Sequence, residues 1–221
     1  MRIIWDQTNR QPFRMANTPW EVFFEESIRR MLRPGARVLD VGGGLRVDAS
    51  RGNVEDPARA WIKPLLVETS YQVLDPVETY HPDIVGDVMA LALPDASFDA
   101  VLCLAVLEHV PRPWDAVREM HRVLAPGGTL LLYVPFLSPY HAMPGYYGDY
   151  FRYTEDGLRS LCSDFVSLRL SAVRGPVETI THLLPGALGR LLGPLGRVLD
   201  RMRPHSGKQV SGYYVLASKA V

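Results

Sequence analysis

Cysteine is scarce. The chain has two in 221 residues, Cys103 and Cys162, too few for a disulfide framework or a cysteine metal cluster. No charge sign dominates, with 24 Lys plus Arg against 24 Asp plus Glu. A protein that holds nucleic acid through its phosphates carries a basic excess, so no nucleic-acid partner is expected. No apolar run reaches the ~18 residues a spanning helix needs. Arg2, Asp6 and Arg10 interrupt the N-terminus, so no signal peptide is read there and a cytoplasmic location is expected. The glycines at 42–44 are followed by no Lys-Ser or Lys-Thr pair, which removes a P-loop. Val47 stands where a dinucleotide fingerprint needs its third glycine, which disfavours a nicotinamide oxidoreductase.

Alternating elements are what the chain does have. Thr18-Pro19-Trp20-Glu21 is a helix start with a capping box. Trp20, Phe23, Phe24, Ile28, Met31 and Leu32 follow at helical spacing, and Pro34-Gly35 stops them. Apolar runs at 37–41, 71–74, 84–85, 98–104 and 129–134 predict strands. A helix is expected over Pro57 to Leu66, another over Pro113 to Leu124, and a third from Thr154 to Cys162. Runs at 165–173 and 212–218 predict two closing strands. Strands alternating with crossovers imply an α/β fold, with helices on both faces of a largely parallel sheet. The chain reads as a single domain over 1–221, with an N-terminal helical cap over 1–35 and a helical insert over 176–207 before the final strand.

In such sheets, ligands bind outside the carboxyl ends of the strands. Asp40 closes the first strand, Asp75 the second, and Asp87 follows the third. A ring of acids suits S-adenosyl-L-methionine (SAM), which has an ammonium, a ribose diol, an adenine amine and a positive sulfur, but no phosphate. Four stretches carry a family resemblance: "VLDVGGG", "GDV", "LPDASFDAVLCLAVLEHV" and "REMHRVLAPGGTLLLYVPF". Residues 36–160 resemble a class I SAM-dependent methyltransferase of the type 11 group. The resemblance implies a Rossmann-like seven-stranded sheet whose last strand runs antiparallel. It implies that Asp40, Gly42, Gly43 and Gly44 form the cofactor loop. Asp75 then binds the ribose, Asp87 and the Val88 amide meet the adenine, and Leu104 and Ala105 pass the methionyl part. Leu45-Arg46 departs from the family pattern, and the first crossover is poor in helical signal. Arg46 is left open between a carboxylate contact and solvent.

The acceptor wall is expected in "PFLSPYHAMPGYYGDYFRYTEDGL". Pro135-Phe136, His141, Asp149, Tyr150, Arg152 and Thr154 resemble the signature of a subgroup that often serves polysaccharide and sugar pathways. His141 is the first candidate for a general base, because its ordinary pKa lies near neutrality. Asp149 is assigned as its partner, or as the partner of Arg152. Tyr140, Tyr150 and Arg152 are assigned to the substrate. The clustered tyrosines either stack on a ring or pack the loop. Glu108-His109 ranks below His141 as a catalytic candidate. His81, His121, His182 and His205 show no ligand spacing, so no metal is expected.

In the insert, leucines recur at helical spacing beside several arginines. Three roles are open for residues 176–204: a lid, a subunit contact within a homodimer, or contact with a membrane surface. The first two are preferred. Pro185, Gly186, Gly189, Gly193, Pro194 and Gly196 argue against one long helix. The sequence thus reads as a SAM-dependent methyltransferase acting on a small molecule, with a hydroxyl of a sugar or glycan intermediate favoured. A non-catalytic SAM-binding module and a nicotinamide (NAD) oxidoreductase remain as alternatives.

Overall fold

The computed structural model describes residues 18–51, 54–184, 186–202 and 208–221. Residues 1–17 of the expected N-terminal cap and 203–207 of the insert lie outside them. Seven strands run β1 (Arg37–Val41), β2 (Ser70–Asp75), β3 (Ile84–Val85), β4 (Phe98–Leu104), β5 (Leu124–Pro135), β6 (Ser167–Val173) and β7 (Gly212–Ser218). The sheet order is β3-β2-β1-β4-β5-β7-β6. β1 to β5 pair in parallel, and β7 runs antiparallel to both β5 and β6.

Period-two alternation sends the side chains of the central strands β1, β4 and β5 to two covered faces, as the middle of a parallel sheet requires. One core holds Leu39, Val41, Val101, Cys103, Leu130 and Leu132, with Val117 and Met120 of α3 (Pro113–Val123) and Leu158 of α4 (Glu155–Leu161). The other holds Val38, Leu102, Leu131 and Leu216 under Phe24, Ile28 and Met31 of α1 (Pro19–Met31). Thr18 caps α1, its hydroxyl accepting from the Glu21 amide and donating to the Glu21 carboxylate at 2.8 Å. The first crossover is short. A 3-10 segment over Pro57–Ile62 leads into the four-residue α2 (Lys63–Leu66).

The insert is two helices, α5 (Pro176–Leu183) and α6 (Gly186–Met202). α6 runs unbroken through Pro194 and three glycines, contrary to the expectation that they interrupt it. Two of the glycines allow close packing: a Cβ on Gly196 would stand 3.0 Å from Glu178 Cα, and one on Gly189 2.8 Å from the Thr181 carbonyl oxygen, whereas one on Gly193 would meet nothing within 4 Å. No helix among the described residues is long and apolar enough to cross a membrane.

Candidate functional site

Parallel pairing brings the carboxyl ends of β1, β2, β3 and β4 to one edge, and a cavity of about 980 Å³ opens there. That lies at the upper end of the ~300–1,000 Å³ usual for ligand sites. Gly42, Gly43, Gly44, Asp75, Asp87, Val88, Leu104 and Ala105 all line it, as do His141 and Tyr150. Asp40, Asp149, Arg152 and Tyr140 do not.

Asp40 is fully buried beneath the loop. Its carboxylate accepts from the Gly44 and Leu45 amides at 3.1 Å each and from the Tyr71 hydroxyl at 2.6 Å. Burial still pushes its pKa up to about 6. Asp40 therefore shapes the loop from below instead of facing the cavity. The glycines also have a partly internal reason. Gly42 and Gly43 have φ of 77° and 59°, a region that favours glycine. A Cβ on Gly44 would lie 2.7 Å from the Leu104 carbonyl oxygen. The loop thus rests directly on the end of β4.

Asp75 ends β2, and its Oδ1 accepts from the Val77 amide at 2.8 Å. Partial burial raises its pKa. Asp87 makes the same local turn, accepting from the Met89 amide at 2.8 Å. Sequence reasoning missed several neighbours. Trp20, Glu21 and Phe24 of α1, and Arg51, Arg59 and Arg174, also line the cavity. Arg59 reaches the Gly44 and Leu45 carbonyls, and its guanidinium sits 5.2 Å over the Phe24 ring. Arg46 lines the cavity while its Nε donates to the Val54 carbonyl at 2.9 Å.

The opposite wall is the loop from 136 to 154, fastened to the end of β4. The Tyr150 amide donates to the Glu108 carbonyl at 2.7 Å, and the Tyr153 hydroxyl to that of Leu107 at 2.8 Å. Asp149 pairs with Arg152 through both oxygens and accepts from the His141 amide at 2.9 Å. The Arg152 guanidinium holds the Asp149 carboxyl well below the usual carboxylate range. Arg152 also donates to the Pro139 carbonyl at 2.9 Å. These two residues brace the loop, and Tyr140 is exposed. The tyrosines divide: Tyr153 is buried in the core, whereas Tyr146, Tyr147 and Tyr150 line the cavity.

His141 Nδ1 lies 3.0 Å from the Pro139 carbonyl, and its Nε2 is 3.6 Å from Glu108 Oε1. His109 Nδ1 lies 2.6 Å from the Gly148 carbonyl, and its ring meets His141 edge to face at 4.8 Å. Burial lowers the His109 pKa. Glu108 is buried, its Oε2 has no hydrogen-bond partner, and burial pushes its pKa up to about 7. One ligand atom from each of Glu108, His109 and His141 falls within 4.8 Å of the others, a grouping able to hold a metal ion. Sequence spacing hid it, because residues 109 and 141 meet only through the loop.

A methyltransferase-domain family model matches residues 53–132. A ubiquinone biosynthesis O-methyltransferase of Pseudomonas putida is 35% identical over 105 residues, which is 46% of this chain and 45% of that protein. The corresponding protein of Pseudomonas paraeruginosa is 37% identical over 102 residues, or 44% of each. The chain thus spans about half the length of the curated relatives it matches. Among solved structures, a SAM-dependent methyltransferase from Archaeoglobus fulgidus aligns with a TM-score of 0.55 at 16% identity, covering 90% of this chain and 94% of that one. Another, from Methanosarcina mazei, aligns with a TM-score of 0.52 at 16% identity, covering 88% and 97%. The similarity to class I SAM-dependent methyltransferases of the type 11 group is therefore shown in sequence across residues 53–132 and in fold across the seven-stranded sheet.

Proposed function

We propose that the cavity binds SAM and that the chain transfers its methyl group to an oxygen of a small-molecule acceptor. The observation that carries this is the convergence of Asp75 and Asp87 on one cavity, above the loop Gly42–Gly44. Carboxylates at those strand ends suit hydroxyl and amine donors, and among the described residues the loop beside them offers no α-helix N-terminus for a pyrophosphate. The next helical element is only a three-residue 3-10 turn, Ala49–Arg51, which weighs against a dinucleotide. Asp75 holds the ribose, Asp87 and the Val88 amide hold the adenine, and Leu104 with Ala105 flanks the methionyl part.

When bound, the cofactor supplies a methyl carbon activated by its positive sulfur. The chain's part is to hold an oxygen in line with that carbon and to remove its proton. With Nδ1–H donating to the Pro139 carbonyl, His141 Nε2 keeps a lone pair for that proton. Glu108, 3.6 Å away, stabilises the imidazolium that results once the carboxyl is itself ionised, above about pH 7. Asp149 acts as a positioning residue, holding the His141 backbone while neutralised by Arg152. Tyr146, Tyr147 and Tyr150 offer faces to a ring. The name of the relatives supports an oxygen acceptor, and the motif around Asp149 and Arg152 supports a sugar or glycan hydroxyl.

Calorimetry with S-adenosylhomocysteine and with NAD tests the cofactor. Binding of the homocysteine form is expected, and binding of NAD alone overturns the reading. A methyl-release assay on phenol and sugar acceptors then tests turnover. His141→Ala is expected to lower kcat by ~10²–10⁴ with homocysteine-form affinity unchanged. An equal loss of both removes the base assignment.

A further inference from the structure

α6 is turned the opposite way from a helix that ends at water. Its one acid points inward. Asp200 is buried and accepts from the Val177 and Glu178 amides at 3.1 and 2.8 Å, so it caps α5, which has no side-chain cap of its own. Its small residues also face α5, at Gly189 and Gly196. The apolar side faces out: Leu188, Leu191, Leu195, Val198, Leu199 and Met202 are 42–76% exposed. At 100° per residue these six fall within one contiguous arc. Single exposed leucines need no explanation, but a continuous stripe of this kind marks an interaction surface.

What could cover it is narrowed by charge. The helix carries Arg190, Arg197 and Arg201 against Asp200 alone, and that acid is used internally. Arg197 keeps nearly half its side chain exposed while reaching Glu178 at 2.9 Å. A second copy would place another net-positive helix against this one, with no outward acid among the described residues of α6. Nor does any described α6 residue line the cavity, so the cavity lends no support to a lid. An apolar arc, with exposed Arg197 and Arg201 on the flank between it and the α5-facing glycines, fits an acyl boundary with anionic headgroups beside it.

We propose that α6 docks the protein on an anionic lipid surface through this stripe. Glu178 joins the docking helix to the cavity, because it meets Arg197 on one side and Arg174, which lines the cavity, at 4.0 Å on the other. Docking would bring that rim of the cavity to the bilayer.

The test is co-sedimentation of the full chain with phosphatidylcholine vesicles, with and without phosphatidylglycerol. Binding is expected to the anionic vesicles and to weaken as salt rises. The double variant Leu191→Glu, Leu195→Glu should reduce the bound fraction about tenfold or more. Both positions are more than half exposed, so its melting temperature and homocysteine-form affinity should match those of the parent. Three results overturn the proposal. The chain does not sediment with anionic vesicles, or the double variant binds as the parent does. The third is a dimer in solution, without lipid, that the double variant dissociates; the stripe then belongs to a second copy.

Discussion

The Tyr71 hydroxyl donates a 2.6 Å hydrogen bond to Asp40 Oδ2 beneath the glycine loop. Register explains the meeting. Tyr71 of β2 pairs with Val38 of β1, and Asp40 lies two residues on, on the same sheet face. The loop that borders the cavity is therefore suspended from a buried carboxylate with three donors. Tyr71→Phe leaves that carboxylate with one donor fewer in a dry site. We expect a loss of roughly 1–3 kcal/mol in urea unfolding and weaker homocysteine-form binding. Unchanged stability would mean that Asp40 finds another donor.

Gly44 leaves no room for a side chain. An added Cβ would meet the backbone oxygen of Leu104 at 2.7 Å, and backbone cannot step aside as a flexible side chain can. Gly44→Ala is expected to displace the loop, costing about 1–3 kcal/mol as other overpacked sites do. Homocysteine-form affinity should fall at least about tenfold with it. Gly43→Ala is the comparison, because its Cβ would meet only Val73 Cγ1 at 3.4 Å. The cost there comes from its positive φ alone, about 1–2 kcal/mol.

Much of this architecture is legible in the sequence. The strands are, because near-continuous apolar runs such as 98–104 leave little else to form. So are the caps at Thr18 and Thr154, both of which accept a backbone amide. Asp40 does not face the cavity, and its signal was present: alternation puts it on the face of Val38, which α1 covers. What the chain order conceals is tertiary. Trp20 and Phe24 reach the cavity rim from a helix well before the glycine loop, and His109 meets His141 only because Asp149 and Arg152 fold the loop back. Gly189 and Gly196 inside α6 look like breakers because propensity is local, whereas their reason there is a neighbouring helix.

The brace itself can be removed. Arg152 donates to Asp149 and to the Pro139 carbonyl, beside His141. Arg152→Met keeps the length of the side chain and deletes its donors. We expect acceptor-dependent kcat/KM to fall by about tenfold or more, since misplacement of a base is costly. Homocysteine-form affinity should stay within about twofold, because Asp75 and Asp87 lie on other elements. A loss of cofactor affinity as large as the loss of rate would mean that the brace serves the whole fold.

Stability should also depend on pH in an uncommon direction. Asp40 and Glu108 have pKa values raised to about 6 and about 7, in each case chiefly by burial. The folded state therefore holds protons that the unfolded chain has already released. Between the ordinary carboxylate range and about pH 7, the unfolded state binds fewer protons, so stability falls as pH rises. Each group contributes on the order of 3 kcal/mol across that window, at about 1.4 kcal/mol for each tenfold change in proton affinity. Below the ordinary range both forms are protonated and the trend ends. Urea unfolding from pH 5 to pH 8 should show the decline. Glu108→Gln, which carries no charge at any pH, should flatten its upper part and be more stable than the parent at pH 8. A parent curve that rises through this window would show that the fold holds Glu108 as an anion.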